Sequence, residues 1–192
     1  MNTKFYPLLT AVLILLGIGL TSCEKHDGEH YFKWFCKAEL NGKSLIDQTR
    51  IEQAFNPNSP MATPYLCKES ENYCKFYTEL GENRGAQPEY YIDVWLPVKD
   101  LQGIVGKEFA FKKEIPENFD PAEPGNSGAY FKWLRENGHC FATVDKNLTT
   151  EYVENGTFKI ESFDSSGPFY HGSFTLTFSE GTLTGHFKVG AN

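Results

Sequence analysis

Five cysteines and five histidines carry the most versatile chemistry in this chain. A thiolate is a nucleophile, a metal ligand or half of a disulfide, and an imidazole is a base or a ligand. Spacing decides which role is open. No Cys-x-x-Cys and no His-Glu-x-x-His occurs, so zinc chemistry has no motif to rest on. Neither a Gly-x-Ser-x-Gly elbow nor a glycine-rich phosphate loop is present. With 25 acidic residues, a general-acid pair cannot be picked out, because carboxylate separation is set by the fold. No catalytic residue, cofactor or metal is therefore expected. The reading is a non-enzymatic protein, with a glycan-active enzyme as the remaining alternative.

Cys23 differs from the other cysteines in its surroundings. Residues 5–20 are almost wholly apolar, Lys4 is the only charge before them, and small residues Thr21 and Ser22 follow. A positive start, an apolar run shorter than the ~20 residues of a bilayer span, and a small-residue exit describe a secretory signal peptide. Leu20-Thr21-Ser22-Cys23 resembles the bacterial lipobox. That resemblance implies lipidation of the Cys23 thiol, cleavage before it, and acylation of the new amine with chains such as palmitate. Each buried methylene contributes about 0.8 kcal/mol, so two or more chains make a stable membrane anchor. Residues 23–30 are polar, contain His26 and His30, and read as a flexible tether. Glu24 follows the Cys, not the Asp that would resemble an inner-membrane retention signal, so the resemblance favours the outer membrane. The acid-rich stretch resembles the surface-export signals of Bacteroidota lipoproteins, so the cell surface is favoured over the periplasmic face.

The chain has 18 Lys and Arg against 25 Asp and Glu. Loss of residues 1–22 removes Lys4 alone, leaving 17 against 25 and a net charge of −8. That balance argues against nucleic acid, which selects clustered Lys and Arg. Sixteen Phe, ten Tyr and three Trp favour strands and a sheet-on-sheet core. Residues 31–192 are long enough for one domain with a full interior.

The elements that must position any site read as a row of strands. Residues 31–40 alternate, with Phe32, Trp34, Cys36, Ala38 and Leu40 on one face, and Asn41-Gly42 signals a two-residue turn. Further strands are expected over 50–55, 63–67, 73–80, 90–98 and 107–112. Residues 113–128, with three prolines and four acids, read as a loop. Residues 130–145 admit two readings. Ser127 caps a short helix that ends at Gly138, with Lys132 and Glu136 paired at i,i+4. Alternatively Asn137-Gly138 turns a hairpin that sets Phe131, Trp133 and Arg135 against Val144, Ala142 and Cys140, and this is preferred because five of the six suit a core. Asn155-Gly156 is read as a turn that folds Tyr152-Val153 back on 157–163. Glu180-Gly181 is read as the last turn, pairing Phe178 with Leu183, Leu176 with Gly185 and Phe174 with Phe187. This register sets His171 opposite Gly190 and His186 opposite Thr175, about 13 Å apart and too far for one ion. His139 falls in a turn. About ten strands with little helix imply a single all-β domain, an antiparallel sandwich or flattened barrel. A lipocalin-like barrel carrying a small apolar ligand is the alternative architecture.

With Cys23 lipidated, four cysteines remain for disulfides outside the cytoplasm. Cys67 with Cys74 and Cys36 with Cys140 is the favoured pairing, with buried free thiols as the alternative. Loop entropy would make these bridges worth about 2.5 and about 5 kcal/mol. Tyr31, Phe35, Tyr73, Tyr77 and Tyr91 fall on faces read as outer, and are the aromatic candidates for stacking on a sugar.

"FKWFCKAELNGKSL" resembles the opening strand, F-x-A-x-(V/I)-N-G-K, of small Bacteroidota lipoproteins of unknown function. "NGTFKIESFD" followed by "YHGSFTLTFSEGTLTGHFKV" resembles their C-terminal glycine-and-phenylalanine pattern, although the final strand departs from the commoner (T/N)-x-G-x-F. The resemblance spans about a third of the chain. It implies a lipid-anchored β domain and transfers no catalytic or binding residue. The expected partners are the membrane, through the anchor, and a glycan, a small apolar ligand or an envelope protein.

Overall fold

A computed structural model describes residues 32–50, 63–83, 87–121, 123, 125–167 and 169–190. The chain divides into two units, Met1–Tyr31 and Phe32–Asn192, and every described residue belongs to the second. The signal peptide, Cys23, the tether, Tyr31 and most of the strand expected over 50–55 therefore lie outside the described residues.

Among the described residues eleven strands form two antiparallel sheets. They are β1 (Phe32–Leu40), β2 (Lys43–Arg50), β3 (Tyr65–Lys68), β4 (Cys74–Leu80), β5 (Tyr90–Leu96), β6 (Glu108–Lys112), β7 (Phe141–Lys146), β8 (Thr149–Tyr152), β9 (Asn155–Asp164), β10 (Phe169–Phe178) and β11 (Gly181–Gly190). The first sheet runs β2-β1-β11-β10-β9-β6, and the second runs β3-β4-β5-β7-β8. The architecture is an all-β sandwich. Its interior is filled: the Phe76 ring of β4 lies 4.5, 5.3 and 6.1 Å from the rings of Phe187, Phe158 and Phe174 in the facing sheet. Tilted aromatic pairs at this spacing are favourable beyond their burial. The lipocalin-like alternative is corrected by this packing, since the sheets do not close into a barrel and phenylalanines occupy the space a carried ligand would need.

Two corners join the sheets. Ile46 and Gly81 exchange backbone hydrogen bonds of 2.8 and 3.2 Å, so β2 pairs with the chain just past the end of β4. At the other corner Val153 N donates to Ala142 O and Glu154 N donates to Thr177 O, one bond to each sheet. The chain therefore crosses between sheets here. Asn155-Gly156 is not a hairpin turn but the start of β9, paired with β10 and β6. The turn that does follow β7 is Asn147-Leu148, both at positive φ (51° and 65°). Asn41-Gly42 turns as expected, at φ 53° and 80°.

The last hairpin keeps its expected faces and shifts its register by two. Phe178 pairs Gly181, Leu176 pairs Leu183, Phe174 pairs Gly185 and Gly172 pairs Phe187. Each Gly-x-Phe therefore meets the other in reverse. The Phe187 ring covers Gly172 and the Phe174 ring covers Gly185, where a Cβ would collide with the ring and with backbone oxygen. The expected register set Phe174 against Phe187 and left both glycines uncovered. Placing each ring over a glycine fills both spaces.

In place of the hairpin expected at 130–145 the chain forms helix α1 (Asn126–Glu136), with Gly125 rather than Ser127 at its N-cap, and then enters β7 at Phe141. Gly138 (φ 71°) ends it, donating to Arg135 O while His139 N donates to Leu134 O. This pair of bonds is the Schellman arrangement, so Asn137-Gly138 acts as a helix stop rather than a strand turn. Lys132 and Glu136 do pair, at 3.6 Å. Among the described residues no helix is long and apolar enough to cross a membrane.

Candidate functional site

Alternation along β3, β4, β5 and β7 sends one set of side chains into the core and the other onto the outer face of the second sheet. The register aligns the outer set in rows. Cys67, Lys75, Trp95 and Phe141 form one; Tyr65, Tyr77, Asp93, Thr143 and Tyr152 form the next; Glu79, Tyr91 and Asp145 form the third. Helix α1 covers the Trp95–Phe141 end. Tyr130 and Leu134 are buried against Trp95, Phe141 and Tyr73, and Tyr73 Oη donates to His139 O at 2.8 Å, tying the helix stop to the sheet.

The uncovered part mixes rings with charges. Lys75 Nζ lies 5.8, 5.5 and 5.3 Å from the rings of Tyr65, Tyr77 and Trp95, and 3.2 Å from Asp93 Oδ1. Tyr65 and Tyr77 pack at 5.1 Å, and Tyr77 Oη donates to Glu79 at 2.9 Å. Burial pushes the Asp93 carboxyl up, and the nearby Asp145 adds to this, while Lys75 offsets part of it. Burial is the largest single effect on the Lys75 ammonium and pulls it down, but Asp93, Tyr65 and Glu69 together outweigh it and the net direction is up. Both directions hold together: the ammonium stays charged and the carboxylate is less acidic than usual. Burial, with the Glu79 bond, holds the Tyr77 phenol well above its ordinary range.

Beside this face lies a groove of about 440 Å³, lined by Tyr73, Phe131, Arg135, Ser70 and Asn72, with Lys132 and Glu136 on its rim. Arg135 stacks over three rings, 5.5 Å from Tyr73, 5.3 Å from Trp95 and 5.6 Å from Phe131. The aromatic residues named from the sequence do not form one platform. Tyr77 and Tyr91 are half-buried on this face. Tyr73 shares it but is only 3% exposed, under α1. Phe35 belongs to the other sheet, buried edge-on against His186. Sequence reasoning did not single out Tyr65, Lys75, Asp93, Trp95 or Arg135. Alternation puts the first four on outer positions, but nothing local marks them as neighbours.

Among the described residues the cysteines do not supply a reactive thiol. Cys36, Cys67, Cys74 and Cys140 are all free. The expected Cys67–Cys74 bridge fails on register: Cys67 pairs Lys75 and Cys74 pairs Lys68, so the two lie one row apart and point to opposite faces. Nor is the expected Cys36–Cys140 bridge present. Cys36 is wholly buried in the first sheet, and Cys140 precedes β7 of the second. Burial raises all four pKa values, Cys140 to about 12, which disfavours thiolate at neutral pH. The observed register brings His171 opposite Lys188 and His186 opposite Ser173, two rows apart rather than four. Among the described residues no group of three or more His, Cys, Asp or Glu is arranged to hold a metal ion.

Asp47 is a buried polar pin rather than a site. It accepts bonds from Thr78 Oγ1 (2.8 Å), Glu79 N (2.8 Å) and Thr63 Oγ1 (3.1 Å), joining β2 to β4. Burial pushes its carboxyl up to about 6.

No protein-family model, curated protein or solved structure matches this chain.

Proposed function

We propose that this protein is a non-enzymatic, lipid-anchored binding protein of the outer membrane, displayed at the cell surface through Cys23, and that it recognises a saccharide on the outer face of its second sheet. The observation that supports this most is the mixture of half-buried rings and polar groups on that face. Tyr65, Tyr77 and Tyr91 alternate with Lys75, Asp93 and Asp145, next to a groove. A sugar ring presents an apolar C–H face and a hydroxyl rim. Aromatic rings satisfy the first, and charged or amide groups satisfy the second. The groove volume lies within the range of about 300–1,000 Å³ typical of small-ligand sites.

Two experiments test the reading. Detergent-solubilised protein is screened on an array of microbial, plant and host glycans, with the Tyr77→Ala and Tyr91→Ala double variant alongside. Binding to a defined glycan class that the double variant loses supports the proposal; an array with no hits sinks the saccharide part. For the anchor, Cys23→Ala is expected to abolish acyl labelling and membrane retention while the domain still folds. Continued labelling would refute lipidation at this residue. Protease treatment of intact cells tests display, since a protein at the periplasmic face would resist it.

A further inference from the structure

We propose that the groove beside α1 selects acidic saccharides, with the Arg135 guanidinium gripping a sugar carboxylate of the uronic-acid or sialic-acid type. This deepens the saccharide reading and rests on it.

Three observations carry the inference. First, Arg135 is held and yet unused. The Tyr73, Trp95 and Phe131 rings stack around its guanidinium, while among the described residues no carboxylate or carbonyl accepts a hydrogen bond from it. A guanidinium carries five donors in a planar fork that matches a carboxylate with two parallel bonds. Stacking fixes that plane before any ligand arrives, so less side-chain freedom is lost on binding.

Second, the charge of the groove fits one carboxylate. Arg135 and Lys132 stand against Glu136, and Lys132 is paired with Glu136 at 3.6 Å, leaving one net positive charge at Arg135. Lys75, 5.3 Å from the Trp95 ring, is neutralised by Asp93 at 3.2 Å. A phosphate or sulfate cluster would call for more free cations than this. The rest of the domain is acidic, but at physiological salt charges beyond ~8 Å are largely screened, so the local cation governs.

Third, the surroundings suit a sugar better than an extended acidic peptide. Phe131, half-buried, offers ring surface beside Arg135, and Ser70 and Asn72 add a short hydroxyl and an amide to the lining. Ser70 and Asn72 lie in the turn between β3 and β4, where the Glu69 and Ser70 N–H groups already donate to Tyr73 O, so these two donors are not open to a peptide backbone.

The test uses the full-length, detergent-solubilised protein and two matched ligand pairs. These are trigalacturonate with its carboxyl-reduced form, and sialyllactose with lactose. Titration calorimetry is expected to show at least one acid bound tenfold or more tighter than its neutral partner. Arg135→Lys keeps the charge but loses the fork, and Arg135→Gln loses both. Each is expected to bring the acid down to the affinity of the neutral partner, with a retained cooperative thermal transition and native circular dichroism as the check on folding. If acid and neutral forms bind equally, the Arg135 assignment falls and the saccharide reading stands. If neither pair binds while the glycan array has hits, the assignment falls in the same way. If nothing binds in either assay, both fall. A poly-glutamate peptide bound as tightly as the sugar acid would overturn the saccharide class in favour of a peptide.

Discussion

The two outer faces of this sandwich obey the same alternation and end up chemically different. On the first sheet the outward side chains of β10 and β11 are mostly short and polar, Ser173, Thr175, Thr177, Thr182 and Thr184, and the two rings that share the face, Phe35 and Phe169, pack against His186 and Lys188. Its contacts are local, such as Thr177 with Thr182 at 3.1 Å and Ser173 with Glu161 at 2.8 Å. On the second sheet the outward rows carry Tyr65, Tyr77, Tyr91, Trp95 and Phe141, and a helix packs on one end of them. Small hydroxyl side chains suit a solvated sheet face, whereas large rings need something laid over them. Helix α1 covers part of that ring surface. The uncovered remainder, with its lysine and two aspartates, is where a ligand can take the place of water.

Substitutions separate the faces, and the largest effect lies between them. Phe76→Ala removes the ring that meets three phenylalanines of the opposite sheet. It should cost about 3–5 kcal/mol in denaturant unfolding and weaken both faces together. A loss below about 1 kcal/mol would mean the sheets do not share that core.

Asp47→Asn comes next. An amide cannot accept from all three donors, so a loss of about 1–3 kcal/mol is expected at neutral pH. The same residue sets a pH dependence. Its folded pKa is raised, so between about pH 4 and 6 the native state holds more protons than the unfolded one. Its contribution is therefore complete below about pH 4 and lost as the pH rises through about 6. The asparagine variant should lose that slope, and an unchanged slope would remove Asp47 as its source.

Gly138→Ala places a Cβ at φ 71° and should cost about 1 kcal/mol. Its effect should show mainly as faster amide exchange in α1 and around Trp95, with little change on the first sheet. Equal loosening of both sheets would contradict the separation. The smallest effect is on the polar face, where Thr184→Ala should stay within about 0.5 kcal/mol and leave saccharide binding unchanged. Lost binding there would move the site to the wrong sheet.

Particular residues show how far the sequence could be read. The alternation of β1, the Asn41-Gly42 turn and the inward set of the last hairpin are visible because a period of two and a left-handed turn are local properties. Asn137-Gly138 and Asn155-Gly156 are ambiguous because the same dipeptide serves as hairpin turn, helix stop or strand start. Those uses differ only in which distant strand or helix the neighbouring residues pack against. Tyr77 and Tyr91 were legible as outer residues. Arg135 was not legible as a functional group, because its three rings come from the approach to β4, from β5 and from α1.

The sequence by itself determined the class of fold and which side of most strands faces inward, since alternation is written residue by residue. Tertiary structure alone decided the partners. Phe187 over Gly172 and Phe174 over Gly185 chose the register, and the step at Val153–Glu154 chose the sheet. Packing of α1 on Trp95 assembled the cage around Arg135. Each of these is a long-range fit of volume and charge between segments far apart in the chain, and no periodicity within one segment encodes it.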